Sequence, residues 1–195
     1  NVQLWEEKVG LVLPEDISDK DYVQYGTEAE EYLRALFALD HPEYKVLYDP
    51  DNMFTNSKYP WMHASLDGEL LDSTGRHGIL EIKTTNILHS SQWEKWRDKI
   101  PDNYFCQVLH YLAVTEYDFA VLKAQIKSGQ GERMRIETRH YFIERKEVEE
   151  DIADIFGQGV ELDDSEVVQT ARRAIELLDT FSLYVIYCYR KNGLI

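Results

Sequence analysis

The sequence predicts a single mixed α/β (α+β) domain, in which a central β-sheet is flanked by α-helices. Its 195 residues, 44% of them hydrophobic and 12% aromatic, are enough for one domain with a substantial core. Its hydrophobic periodicities follow the order helix, three strands, helices, two strands, helices. Because no repeat, low-complexity tract or linker divides the chain, we expect residues 1–195 to form one domain that ends in helices from about 147 to 195.

Helical and extended patterns alternate through the first half of the chain. A Ser18-x-x-Asp21 box predicts the start of a helix over 18–39, in which apolar and aromatic residues recur at helical spacing. Strands are predicted at three places: 44–48, 62–71 with an interruption at Asp67-Gly68, and 79–84. The polar segment before the last strand predicts a hairpin.

The second half is predicted to contain helices on either side of a β-hairpin. A Ser91-x-x-Glu94 box predicts a helix that Pro101 ends. The patterns that follow predict a helix over 104–116, strands over 119–126 and 134–143, and helices over 147–155 and 166–189. The two cysteines, Cys106 and Cys188, lie in apolar surroundings and are expected to be buried thiols.

Two charged residues interrupt a strand that should otherwise be buried. Glu81 and Lys83 lie among the apolar residues of the 79–84 strand, and strand alternation places them on one side, about 6.6 Å apart. Burying them is costly unless they pair or bind an ion. Asp67, on a neighbouring turn or strand, would complete a site for a hard divalent cation. In isolation, Asp67-Gly68 is also typical of a plain turn, and Glu81 with Lys83 of an ion pair on a solvated edge strand.

These residue types predict the chemistry of a metal-dependent nuclease. Asp67 and Glu81 are the expected metal ligands, with the Ile82 carbonyl as a further oxygen, and an all-oxygen set favours Mg²⁺, for which Mn²⁺ could substitute. Lys83 would lower the pKa of the attacking water or stabilise the pentacovalent phosphate. Glu30, on the inward side of the first helix, could reach the metal directly or through a water.

A polar row on the 104–116 helix is a candidate substrate-binding surface. Gln107, His110 and Tyr111 lie at positions i, i+3 and i+4, so the helical repeat places them on one side of a helix whose other side is apolar. They could contact phosphate or a metal-bound water. The alternative is that they form the solvated side of an amphipathic helix.

The net charge of −15 argues against a protein that wraps DNA with a broad basic face. Much of the acid is clustered, however, and local basic groups occur at 95–99, 123–127 and 133–139. We therefore expect a narrow basic channel in an acidic body. No run of about 18 apolar residues is present, so no membrane span is expected, and the cysteine content is typical of a reducing cytoplasm.

Four motifs together resemble the PD-(D/E)XK nuclease superfamily. They are Gly26-x-x-x-Glu30, Ser65-Leu66-Asp67-Gly68, Leu80-Glu81-Ile82-Lys83 and Gln107-x-x-x-Tyr111. Over residues from about 4 to about 145, the chain resembles more narrowly the YqaJ-type viral recombinase, or phage lambda-exonuclease-like, family. Leu66 departs from the family pattern, in which a proline usually precedes the aspartate.

The resemblance implies a Mg²⁺-dependent exonuclease that degrades linear double-stranded DNA 5′→3′ and leaves a 3′ strand for a phage annealing protein in recombination or repair. It implies that Asp67 and Glu81 bind the metal, that Lys83 and Glu30 are catalytic, and that Gln107 contacts the active site. A ring-shaped homotrimer and a cytoplasmic location in a bacterial host are further implications.

Two alternatives remain open at this stage. An endonuclease, or a nuclease acting on single strands or flaps, would carry the same residues. A non-catalytic DNA-binding or assembly subunit would keep the fold, although a degenerate site usually loses one of Asp67, Glu81 and Lys83.

Overall fold

A computed structural model describes residues 6–7, 10–14, 16–58, 60, 62–97, 99–129 and 131–156. The helices of this part of the chain are α1 (Asp21–Asp40), α2 (Ser90–Glu94), α3 (Asp102–Thr115) and α4 (Glu149–Phe156). The strands are β1 (Lys45–Leu47), β2 (Phe54–Thr55), β3 (His63–Ala64), β4 (Gly68–Leu71), β5 (His77–Ile87), β6 (Phe119–Ser128) and β7 (Arg135–Glu144). Single 3-10 turns flank β7 at Gly131–Arg133 and Arg145–Glu147.

Five of these strands form one mixed sheet in the order β1-β4-β5-β6-β7. β5 and β6 are parallel, and every other neighbouring pair is antiparallel. The parallel pair requires a crossover, which the segment containing α2 and α3 supplies. β2 and β3 form a separate two-stranded sheet. The predicted fold class, a mixed sheet flanked by helices, is confirmed.

Helices cover both faces of the central sheet. The core on the α1 face contains Leu33, Phe37, Leu70, Leu80, Ile82, Phe119 and Val121. Ile79 belongs instead to the larger core on the α3 face, which also contains Leu112 of α3 and Ala120 and Leu122 of β6. Because side chains alternate along β5, Glu81 lies on the same face as Ile79, under α3. The acidic side chain of Glu81 therefore lies between the central strand β5 and helix α3.

The first helix and the second predicted strand differ from the sequence prediction. α1 begins at Asp21 rather than at Ser18, because the Ser18 N–H bonds to the Asp16 carboxylate (2.9 Å) in a preceding turn. The 62–71 strand is two strands in different sheets: β3 pairs with β2, and β4 pairs with β1 and β5. The sequence does not predict β2, because a strand of two residues is too short to show an alternation of apolar and polar side chains.

The predicted helix after β5 is much shorter than expected. It ends at Glu94, and its N-terminal cap involves Gln92, whose side chain accepts the His89 backbone N–H (3.0 Å), rather than the Ser91-x-x-Glu94 pair. Pro101 does not end this helix but precedes α3 as its N-cap residue.

The remaining elements agree with the predicted ones to within a few residues. The hairpins β4–β5 and β6–β7 are confirmed, and β5 extends to Ile87. Cys106 is a buried free thiol, whereas Cys188 and the predicted 166–189 helix lie outside the described residues. None of the helices within the described ranges is long and apolar enough to cross a membrane.

Candidate active site

Asp67 lies at the bend that leads into β4, directly beside the charged part of β5. Gly68 pairs with Leu80 in the antiparallel β4–β5 ladder, so continuing the register by one residue places Asp67 opposite Glu81. One carboxylate oxygen of Asp67, Oδ2, accepts the Ile82 backbone N–H at 2.7 Å. The hairpin therefore brings together two acids that are fourteen residues apart in the chain.

Glu81 and Lys83 form a buried ion pair on the α3 face of the sheet. Glu81 is only 1% exposed, and its Oε1 lies 2.5 Å from the Lys83 Nζ. This pair is not on a solvated edge strand, because β5 is a central strand. The second oxygen of Glu81, Oε2, is buried and has no hydrogen-bond partner among the described residues. A buried acceptor without a donor is costly, so this atom marks a position that fits a cation.

The three charged groups of the site perturb each other's protonation. Burial, followed by the charges of Glu81 and Glu30, raises the pKa of Asp67 to about 8. Burial also raises the pKa of Glu81, against the opposing effect of Lys83. Burial alone would lower the pKa of Lys83, but the charge and hydrogen bond of Glu81, together with the charge of Asp67, outweigh burial and raise that pKa. The site is thus short of positive charge, and one ammonium group faces several carboxylates.

The oxygen donors present fit a hard divalent cation that keeps other ligands. Within the described ranges, no group of three or more His, Cys, Asp or Glu side chains is arranged to hold a metal. Mg²⁺ is commonly bound by one or two carboxylates together with waters and substrate phosphates, and Asp67 with Glu81 could supply that protein share. The contact that the structure shows for Ile82 is through its N–H, so its carbonyl as a ligand stays a prediction.

Helix α1 contributes an acid and an arginine to the same site. Glu30 Oε1 lies 3.3 Å from the Arg34 Nη1, and the same guanidinium donates a short hydrogen bond to the Asp67 carbonyl. Arg34 also stacks on the Tyr48 ring, 3.4 Å from its centroid. Sequence reasoning missed Arg34, although its spacing of four from Glu30 was a signal that both lie on one helix face.

Helix α3 closes the site from the other side with two of the three predicted polar residues. Gln107 Nε2 donates to the Tyr111 hydroxyl at 3.0 Å. Burial and the Glu81 charge raise the pKa of Tyr111 to about 12, so the phenol stays protonated. Tyr104, which the sequence analysis did not single out, places its ring centroid 5.4 Å from the Lys83 ammonium.

His110 does not join this group, which corrects its predicted place in the polar row. Its side chain is 3% exposed, and Nε2 lies 2.9 Å from the His63 carbonyl in β3. Burial lowers the pKa of His110 to about 4, so the imidazole is neutral. Position i+3 is turned about 60° from position i on a helix, which is enough to direct His110 toward β3 rather than β5.

Comparison with known proteins identifies a protein family and a relative that resemble this chain. The family model described as "YqaJ-like viral recombinase domain" matches residues 1–118. The curated "Uncharacterized protein YqaJ" of Bacillus subtilis strain 168 is 29% identical over 112 residues, which are 57% of this chain and 33% of that protein. The chain therefore spans about a third of the length of this relative.

Solved structures share the fold. An alkaline exonuclease (LHK-Exo) from Laribacter hongkongensis is 17% identical, with a TM-score of 0.52 over 98% of this chain and 82% of that one. LHK-Exo in complex with dAMP gives a TM-score of 0.51, at 17% identity, over 98% and 83% of the two chains. The mixed sheet and its helices thus share the fold of this alkaline exonuclease. With the family model covering residues 1–118 of 195, the chain belongs to the YqaJ-like viral recombinase family.

Proposed function

We propose that this protein is a Mg²⁺-dependent deoxyribonuclease that degrades linear double-stranded DNA from its ends. The observation that carries the proposal is the buried Asp67–Glu81–Lys83 group, in which one Glu81 oxygen has no hydrogen-bond partner among the described residues. The family and the fold support a nuclease. The similar fold of an alkaline exonuclease supports digestion from DNA ends rather than internal cuts.

In this proposal, Asp67 and Glu81 hold the metal, with the Ile82 carbonyl as a possible third protein oxygen. When bound, Mg²⁺ would polarise the phosphate and supply a nucleophilic water. Lys83 is held at 2.5 Å by Glu81 and remains charged, so it stabilises the negative charge that develops on the phosphate. The charge is fixed before the substrate arrives, which reduces the reorganisation that the reaction requires.

The two helices position groups around this centre. Glu30 adds negative charge beside Asp67, and Arg34 fixes the Asp67 backbone from the α1 side. From the α3 side, Gln107 and Tyr111 present a hydrogen-bonded amide and phenol that can orient phosphate oxygens or the attacking water. Mn²⁺ should replace Mg²⁺, because it accepts the same oxygen ligands.

Polarity, assembly and pathway follow from the family resemblance. We propose 5′→3′ digestion, a ring-shaped homotrimer around the DNA, and delivery of the remaining 3′ strand to an annealing protein during recombination. A ring would allow the net charge of −15 to lie on the exterior while local basic groups line the channel.

The test is incubation of the purified chain with 5′-phosphorylated linear duplex DNA and with closed circular plasmid, each with Mg²⁺ or EDTA. Loss of the linear DNA alone, and only with Mg²⁺, is the expected result. Cutting of the circle would replace the exonuclease with an endonuclease. Loss of neither DNA would contradict the catalytic proposal and favour a DNA-binding subunit.

A further inference from the structure

A second basic and aromatic site lies on the same face of the sheet as the nuclease centre. It is a surface pocket of about 480 Å³, a volume typical of ligand sites. Its lining residues are Trp93, Arg97, Arg139, His140 and Tyr141. They come from α2, from the turn after it, and from β7, which is the last strand of the five-stranded sheet. None of them has a part in the proposed hydrolysis.

The floor of this pocket is held by specific contacts. The Arg139 guanidinium lies 5.5 Å from the Trp93 ring centroid and donates a short hydrogen bond to the Trp96 carbonyl. Trp96 is 3% exposed and packs 6.2 Å from the Tyr141 ring, centroid to centroid. Trp96 is thus a core residue, whereas Trp93 is half-buried and borders the pocket. The aromatic walls are preorganised rather than assembled on binding.

The two arginines are available to an anion. Arg97 is 69% exposed and pairs at 2.7 Å with Glu94, which is itself 58% exposed. Arg139, which is 28% exposed, pairs at 2.5 Å with Glu137, which is 49% exposed. Surface ion pairs of this kind contribute little to stability, so a phosphate can replace either carboxylate at small cost. In a chain with a net charge of −15, the pocket thus collects two guanidinium groups, each paired with an exposed carboxylate.

Strand register connects the pocket to the nuclease centre. Lys83 pairs with Ala124, and Ala124 pairs with Arg139, so the three residues form one row across β5, β6 and β7. Residues in one such row point to the same face, and two strand spacings place the ends about 10 Å apart. The side chain between them is only a methyl group. The Tyr104 ring centroid lies 5.4 Å from the Lys83 ammonium and 5.7 Å from the ring of Trp96, whose carbonyl accepts a hydrogen bond from Arg139.

We propose that this pocket binds an unpaired nucleotide of the DNA strand that enters or leaves the nuclease centre. Arg97 and Arg139 contact its phosphate, and its base stacks on Trp93. An unpaired base is required because stacking on a side chain uses a face that is covered in a duplex. Because the two ends of the row are about 10 Å apart, one DNA strand can reach both sites. The inference rests on the proposed nuclease function.

Equilibrium binding without hydrolysis tests the pocket separately from catalysis. Anisotropy of a labelled single-stranded oligothymidylate is measured with the full chain in EDTA, over a range of salt concentrations. Trp93→Ala should weaken binding by roughly 5- to 150-fold, and Trp93→Phe should restore most of it. Arg97→Ala should reduce the slope of log K against log salt by about one. Lys58→Ala is the matched control, because Lys58 is 70% exposed and paired with Glu116 outside the pocket.

Three results would overturn the proposal. One is wild-type affinity in both Trp93→Ala and Arg97→Ala; another is an equal loss in Lys58→Ala. The third is competition by free dTMP as effective as that by the oligonucleotide, which would make the pocket a mononucleotide site. If Trp93→Ala does not fold, Trp93→Leu keeps the apolar contact and lacks the stacking face. Failure of Mg²⁺-dependent cleavage with intact, pocket-dependent binding would instead refute the nuclease function.

Discussion

Replacing Asp67 with asparagine should make the metal-free protein more stable at alkaline pH. The substitution keeps an oxygen that can accept the Ile82 N–H at 2.7 Å, but it removes a charge from beside Glu81 and Glu30. The pKa of Asp67 is raised from 3.8 to about 8, chiefly by burial. A shift of this size corresponds to a destabilisation of roughly 5 kcal/mol once the carboxylate is ionised, as an order of magnitude.

The sign of this effect follows from proton linkage. The folded protein binds a proton at Asp67 up to about pH 8, whereas the unfolded chain releases it near pH 4. The wild type therefore loses stability as the pH rises through this window. Asp67→Asn cannot ionise, so the difference between the two proteins should be small at about pH 4 and should reach several kcal/mol at about pH 9.

Urea unfolding in EDTA, followed by tryptophan fluorescence at both ends of this pH range, measures the difference. Asp51→Asn is the control, because Asp51 is an exposed acid in a loop and should show no such trend. Mg²⁺ should stabilise the wild type and have less effect on Asp67→Asn. A variant that is less stable than the wild type at alkaline pH would show that Asp67 is a structural residue and not part of an electrostatically strained site.

Three further substitutions test other parts of the structure. Lys123→Met should stabilise the protein by about 1–3 kcal/mol in urea unfolding, because Lys123 is 1% exposed, burial lowers its pKa, and its ion-pair partner Asp40, 3.8 Å away, is 58% exposed. This gain should shrink as the pH rises above the pKa of free lysine, where Lys123 is neutral in both the folded and the unfolded chain; a gain that does not change with pH would contradict this cause. Gly78→Ala should cost about 3 kcal/mol in thermal unfolding, because its Cβ would lie 2.3 Å from the Phe119 ring. Unchanged stability would refute that close approach. Arg34→Met should lower stability by about 2 kcal/mol and weaken Mg²⁺ binding measured by calorimetry, because the Asp67 carbonyl loses its donor. Wild-type Mg²⁺ affinity in this variant would show that Arg34 does not contribute to the metal site.

The parts of the site on β5 were predictable because strand alternation and the free-energy cost of burying charges both indicate that Glu81 and Lys83 are paired. A glutamate and a lysine within an apolar strand must share a side and must be compensated, and the structure pairs them at 2.5 Å. The β4–β5 hairpin that brings Asp67 beside Glu81 and Lys83 was also predictable from the sequence, because a polar turn separates two short apolar segments. These inferences depend only on strand alternation and turn chemistry.

The parts contributed by the helices were less predictable. The helical repeat shows which residues share a face, but not which strand that face packs against. His110 and Tyr111 are adjacent in the chain, yet one contacts β3 and the other lies near Glu81. The spacing of Arg34 from Glu30 places both on one helix face, but the contacts of Arg34 with the Asp67 carbonyl and of Tyr104 with Lys83 are tertiary and have no local signal. The start of α2 depends on a glutamine cap that replaces the predicted serine box.

The most direct test of the central claim is release of mononucleotides from 5′-phosphorylated linear duplex DNA by the wild type and by Glu81→Gln. Glu31→Gln, an exposed acid on α1, is the matched control. The account predicts release by the wild type and Glu31→Gln with Mg²⁺, none in EDTA, and a loss of at least about a hundredfold in Glu81→Gln. Equal release by Glu81→Gln in a folded protein, or release in EDTA, would contradict it.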